Sequence, residues 1–253
     1  MAKNIKFGFS YLIEIQKEVV PIYLDFLSKF GVGGAHPGGF ELTKALLMNE
    51  ELDATSQILD VGCGTGQTAA FLAAKSGANV TGVDINPIMV EKATHRMKKA
   101  KLPVRIFQGS IEALPLEDEK FDFIMCESVL TFVNQPKALK EIFRLLKNGG
   151  RFISNEFTAN VPLPPSIAEE INRFYGINSV LTEADWLRLF EEVGFTNIRI
   201  SGQNQSMLQY NPNPDFLYSK QIEPELYTVM TEHFNLLMKY NELLGYRIFV
   251  CGK

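Results

Sequence analysis

Residues 58–66 read Ile-Leu-Asp-Val-Gly-Cys-Gly-Thr-Gly, a short apolar run that empties straight into three alternating glycines. Such a run reads as a buried strand, and the glycines permit a turn whose backbone can approach a ligand closely. Residues 67–75 continue with a helical pattern that Gly77 closes. A helix that opens on such a turn leaves its first amide groups without partners inside the helix. They form a cradle for a ligand. The segment therefore predicts an open α/β sheet with its binding crevice beyond the carboxyl ends of the strands.

Downstream, strand and helix patterns go on alternating. Residues 79–83 form the next apolar run and end at Asp84. Asn86 and Pro87 then supply an N-cap and a proline at the first helical position, opening a helix to about residue 101. Strands are predicted over 104–108, 121–126 and 151–155, with a helix over 135–147 that Asn148-Gly149-Gly150 stops. This order predicts βαβ units and a doubly wound parallel sheet. Past residue 156 the rhythm changes. Ser166 with Glu169 and Thr182 with Asp185 are spaced as capping boxes that open helices, the second running over 186–193 to Gly194. Strands are predicted over 196–201 and 246–251, and the helical pattern from 224 to 244 between them is too long for a turn.

At the other end, apolar residues from Leu12 to Phe30 recur at helical spacing, broken at Pro21. A glycine-rich loop over 31–39 and a short helix over 40–48 follow. The expected organisation is an N-terminal helical cap and loop over 1–50, a cofactor-binding α/β core over 51–156, and the rest of the sheet with helical cap insertions over 157–253, all in one structural domain.

Composition narrows the partners. A formal net charge of -4 and the lack of a basic stripe give no electrostatic reason to expect nucleic acid. No apolar run reaches the roughly 18 residues that a membrane span needs. The N-terminus does not read as a signal peptide, so a cytoplasmic protein is expected. Cys63, Cys126 and Cys251 lie far apart with no CxxC pair, so they read as buried small hydrophobes, and neither a metal site nor a disulfide is expected.

A second acid sharpens the ligand. Asp84 ends the strand beside the glycine turn, where a carboxylate can accept the two hydroxyls of a ribose. Dinucleotide enzymes prefer G-x-G-x-x-G with a pyrophosphate on the helix. Here the pattern is G-x-G-x-G preceded by Asp60, and an acid at that place suits an ammonium group better than a pyrophosphate. Residues 60–66 resemble the first motif of class I S-adenosylmethionine-dependent methyltransferases. The likeness continues through Gly82-Val83-Asp84, through Gly109 to Pro115, through Phe121-Asp122 and into Leu146 to Gly150. It implies a seven-stranded, mostly parallel sheet with the last strand antiparallel. It also implies S-adenosyl-L-methionine as cofactor, with S-adenosyl-L-homocysteine as product. By the resemblance, Asp60 and the backbone at Gly62, Cys63 and Gly64 hold the methionyl part. Asp84 takes the ribose, Ile85 and Met89 pack beside the adenine, and Ser110 and Ile111 face its edge. Core packing is an equally open reading of Ile85 and Met89.

The loop from Phe30 to Lys44 is similar to the entry segment of small-molecule methyltransferases of the phosphoethanolamine, sarcosine/dimethylglycine and tocopherol type. It has His36 where those often carry a hydroxyl residue. His36 and Glu127, just past the fourth core strand, are the first candidates for a catalytic base or acceptor-positioning group, with Glu127 also placed to touch the cofactor. Glu156 and Tyr11 are further candidates. A loop histidine and a solvated loop acid are the plain alternatives. The predicted function is transfer of a methyl group to a small-molecule acceptor by direct displacement, chiefly through alignment of the two reactants. Aromatic residues Phe157, Phe174, Tyr175, Tyr210, Phe216, Tyr218 and Tyr227, together with Phe132, are candidates for an apolar acceptor pocket. Three competing readings are a methyltransferase-fold protein that binds without catalysis, an NAD(P)-dependent oxidoreductase and a protein or RNA methyltransferase.

Overall fold

The computed structural model describes residues 22–206 and 215–253. Helix α1 (Ile22–Phe30) leads through a two-residue strand, β1 (Val32–Gly33), to α2 (Gly39–Leu47). The chain then passes through β2 (Gln57–Val61), α3 (Gln67–Ser76), β3 (Asn79–Asp84), α4 (Pro87–Ala100), β4 (Arg105–Gln108), β5 (Phe121–Glu127), α5 (Gln135–Leu145) and β6 (Leu146–Ala159). It continues with α6 (Pro165–Tyr175), α7 (Glu183–Val193), β7 (Thr196–Ser206), β8 (Asp215–Phe216), α8 (Leu226–Lys239) and β9 (Leu244–Gly252).

Seven strands form one sheet in the order β4-β3-β2-β5-β6-β9-β7, in which β9 alone runs against the others. The doubly wound, mostly parallel sheet of the sequence reading is thus observed. The strand order reverses at β2 and β5, so the crevice opens where Asp60 and Glu127 end their strands. On one face Leu59, Phe121, Phe152 and Phe249 pack against Leu139 and Ile142 of α5 and Trp186 and Phe190 of α7. On the other, Ile58, Phe123, Ile153 and Tyr246 pack against Leu47 of α2 and Leu72 of α3. Both faces are apolar, as a parallel sheet between two helical layers requires.

A third apolar cluster lies apart from the sheet faces. It joins Tyr23 and Phe26 of α1, Ile171 and Tyr175 of α6, and Val229 and Leu237 of α8 to Phe157 of β6. Lys92 of α4 ties α1 to the core. Its ammonium donates to the carbonyls of Ser28 (2.6 Å) and Lys29 (3.1 Å), two of the acceptors that a helix C-terminus leaves open. The small antiparallel pair of β1 with β8, not foreseen from the sequence, joins the glycine-rich loop to the 215–216 segment.

The local signals held in part. Asn86 caps α4 by accepting from the amides of Ile88 and Met89, and Thr182 with Asp185 closes a full capping box on α7. The Ser166–Glu169 box does not form. Helix α6 begins at Pro165, whose ring already holds a helical φ, so Ser166 lies inside the first turn and Glu169 pairs with Arg173 instead. The helix expected over 135–147 ends at Leu145, and strand β6 runs on through Gly149. Distant donors meet the carbonyls at that end: Lys253 Nζ donates to those of Phe143 and Leu146, and the amides of Glu119 and Lys120 to those of Arg144 and Leu145. The strand then shifts register beside Phe121 and Phe123, with Gly149 at a φ of 76°. The apolar pattern over 12–20 and the candidates Tyr11 and Tyr210 lie outside the described residues.

Candidate functional site

The turn after β2 is held by backbone bonds. Cys63 N–H donates to Val83 O (2.9 Å) and Gly66 N–H to Cys63 O (2.8 Å). Gly62 sits at a φ of 63°, and a Cβ there would stand 2.2 Å from Cγ2 of Val129. Both the backbone angle and the close approach therefore demand glycine. Asp84 braces the same turn. Its carboxylate accepts from Gly64 N–H (2.9 Å) and Asn86 N–H (2.8 Å), while burial raises its pKa.

These residues open onto one cavity of about 570 Å³. Every residue that the sequence assigned to the cofactor lines it: Asp60, Gly62, Cys63, Gly64, Asp84, Ile85, Met89, Ser110, Ile111 and Glu127. Ile85 is 65% exposed, an apolar side chain offered to the cavity rather than packed in the core. Met89 and Ile111 are buried in its wall. The Ser110 hydroxyl accepts from Glu112 N–H (3.3 Å), so its oxygen already serves the local turn.

Asp60 defines the charge that the site asks for. It is 3% exposed, its Oδ2 has no partner among the described residues, and burial, with Glu127 and Asp84 nearby, pushes its pKa well up. Gln67, at the start of α3, presents a second buried acceptor without a partner, Oε1, to the same cavity. Unpaired buried acceptors beside clustered carboxylates are costly. A bound ammonium group with several N–H donors answers both deficits. The methionyl end of S-adenosylmethionine fits these residues, whereas a pyrophosphate adds negative charge to negative charge.

The structure brings the two catalytic candidates together. His36 Nε2 lies 3.3 Å from Glu127 Oε1. Thr43 of α2 donates its hydroxyl to Glu127 Oε1 (2.6 Å) and stands 3.2 Å from His36 Nε2, while Thr68 of α3 donates to Glu127 Oε2 (2.8 Å). Asn155 of β6 faces His36 Nδ1 (3.3 Å) and donates to Pro37 O (2.9 Å). His36 Nδ1 also lies 3.2 Å from Pro37 O, which can only accept, while Nε2 faces the Thr43 hydroxyl and Glu127. Thr43, Thr68, Gln67 and Asn155 were missed in the sequence, where threonine, glutamine and asparagine in helices and strands carry no distinguishing pattern. Glu156 lies nearby but is fully buried, is absent from the cavity wall and bonds to Ser154, so it has no access to a substrate.

The other half of the cavity belongs to α1, α6 and α8. Phe132, Phe157, Tyr175 and Phe216 line it, as do His233 and Met230. Phe174 is absent from the wall and packs against Tyr23 and Tyr175. Tyr218 and Tyr227 are exposed and pack against Phe30. Arg96 of α4 links the halves. Its guanidinium donates to Thr65 O in the glycine turn (2.8 Å) and pairs with Asp215 of β8.

A family model described as a methyltransferase domain matches residues 59–154. The uncharacterized methyltransferase YodH of Bacillus subtilis (strain 168) is 37% identical over 91% of this chain and 99% of its own. In fold, the chain is similar to phosphoethanolamine N-methyltransferase 2 of Haemonchus contortus in complex with S-adenosyl-L-methionine. That match has a TM-score of 0.73 at 18% identity and covers 91% of this chain and 56% of that one. Geranyl diphosphate C-methyltransferase of Streptomyces coelicolor A3(2) matches with a TM-score of 0.69 at 14% identity, over 85% and 80% of the two chains.

Proposed function

This chain belongs to the S-adenosylmethionine-dependent methyltransferases, and on that premise we propose that its cavity delivers the methyl group to a small-molecule acceptor. The observation that carries this reading is the single cavity. It runs from the glycine turn to residues of α1, α6 and α8, whose side chains stand opposite the cofactor residues. A pocket shared by cofactor and acceptor suits a small molecule held whole, not a segment of a polymer. No helix among the described residues is long and apolar enough to cross a membrane. A cytoplasmic location accords with three buried, unpaired cysteines.

S-adenosylmethionine supplies an electrophilic methyl group on a sulfonium. The chain's own part is to bind, orient and exclude water. Asp60 and Gln67 hold the ammonium end, with Glu127 beside them as a further negative charge. Asp84 holds the ribose while it braces Gly64, and Ile85 and Met89 give the adenine an apolar bed. Glu127 already accepts from Thr43 and Thr68 and has His36 beside it, so both of its oxygens are engaged in fastening neighbouring elements. We therefore assign His36 and Glu127 to positioning: they fasten the glycine-rich loop, α2 and α3 around the methionyl end. Displacement then depends on alignment, worth about 7–11 kcal/mol in favourable systems.

The two structural relatives act, by name, on acceptors that carry phosphate. Among the described residues no lysine or arginine lines this cavity, so neither acceptor is carried over. The test uses methyl-labelled S-adenosylmethionine, the purified protein and a cell extract separated into dialysable and macromolecular fractions. Label transferred into dialysable compounds is expected. Label transferred only to protein or nucleic acid overturns the reading.

A further inference from the structure

Resting on the methyltransferase reading, we propose that the acceptor is an uncharged, mainly apolar molecule with one hydroxyl or carbonyl oxygen, and that His233 of α8 receives that oxygen through Nε2–H. The charge pattern of the described cavity wall argues against the other classes. Its carboxylates Asp60, Asp84 and Glu127 all stand at the strand ends, where the cofactor binds, and no described lysine or arginine lines any part of it. An acceptor bearing phosphate or carboxylate would meet no lysine or arginine among the described residues there, beside three acids. Opposite the strand ends the wall is made by Phe132, Phe157, Met230 and Leu237, and a charged group of either sign loses its hydration there without replacement.

One polar device interrupts this wall. Tyr175 of α6 and His233 meet with 2.9 Å between the hydroxyl and Nδ1. Tyr23 of α1 stacks on the His233 ring, with centroids 5.3 Å apart and planes inclined by 29°. Burial pushes the His233 pKa down to about 4, so the ring is neutral at physiological pH. When Tyr175 donates to Nδ1, the single ring proton sits on Nε2. Nε2 makes no hydrogen bond among the described residues, and His233 lines the cavity. A fixed neutral donor in an apolar chamber recognises an oxygen acceptor, and a single hydrogen bond does not replace the hydration that an ion loses there.

The test compares three probes with the same ring system: 2-naphthol, 2-naphthoate and 2-naphthylmethylammonium. Each is titrated by calorimetry at neutral pH into the full chain saturated with S-adenosylhomocysteine, whose own binding is measured first. Naphthol is expected to bind at least about tenfold more tightly than either ion. His233→Phe keeps the ring stack on Tyr23 and is expected to weaken naphthol by about tenfold, with S-adenosylhomocysteine affinity unchanged. Tyr175→Phe, which frees the tautomer, is expected to weaken it by about threefold. Equal or tighter binding of either ion overturns the proposal, as does unchanged naphthol affinity in His233→Phe. No binding of any probe to protein that does bind S-adenosylhomocysteine overturns the acceptor class alone. Failure to bind S-adenosylhomocysteine overturns the underlying reading.

Discussion

Replacing Glu156 by glutamine tests how this sheet carries a buried acid behind its active cavity. Glu156 is 0% exposed on β6. Ser154 donates to its Oε1 (2.7 Å), the Thr131 hydroxyl lies 3.4 Å from Oε2, and Cys126 Sγ lies 3.7 Å from Oε1. Burial outweighs these bonds and lifts its pKa from 4.5 to about 8. Between those values the folded chain holds a proton that the unfolded chain has released. Stability from this group is therefore complete below the unfolded pKa, declines as pH rises through that window, and levels off above the folded pKa. At about 1.4 kcal/mol per unit, the full span is worth about 5 kcal/mol. Glutamine stays neutral throughout but cannot accept at its amide nitrogen, a loss of about 1–3 kcal/mol. Glu156→Gln is thus expected to be less stable than the parent near pH 5 and more stable by about 2–4 kcal/mol near pH 9. Equilibrium urea unfolding of both proteins across that range measures the difference. The raised acids Asp60 and Asp84 act in both and cancel. Stability curves that stay parallel across the range would refute the assignment of a buried, protonated Glu156.

Three further outcomes are expected. Asp84→Ala removes the acceptor of two backbone amides together with the proposed ribose contact, so calorimetric affinity for S-adenosylmethionine should fall by at least about a hundredfold; a loss below fivefold would remove Asp84 from the site. Glu127→Gln preserves volume and should lower cofactor affinity about tenfold while the pH profile of methyl transfer keeps its shape; disappearance of one limb of that profile would make Glu127 the base. Arg96→Ala severs the link between Thr65 and Asp215, and amide exchange in residues 32–33 and 215–216 should quicken by about tenfold with folding otherwise intact. Unchanged exchange there would mean that Arg96 does not hold that edge.

What the sequence determined by itself is the part written in contiguous residues. The run from Ile58 to Gly66, the acid at Asp84 and the Asn86-Pro87 helix start are local signals, since strand period, positive φ and capping all act within a few residues. They sufficed for the doubly wound sheet, and the residues assigned to the cofactor on the family resemblance all line one cavity. Signals that depend on a distant partner did not survive unaided. The end of α5 was misjudged because its last carbonyls find donors outside the helix, in Glu119, Lys120 and, more than a hundred residues away, Lys253. Glu127 and His36 were single candidates until Thr43, Thr68 and Asn155, from two helices and a strand, enclosed them. Glu156 looked as available as Glu127, and only packing shows one side chain sealed behind the sheet and the other in the cavity wall. His233 carries no motif at all. Its lowered pKa and its place in the cavity wall come from burial against Tyr23 and Tyr175, and burial is a property of the assembled chain, because the atoms that exclude water come from helices far apart in sequence.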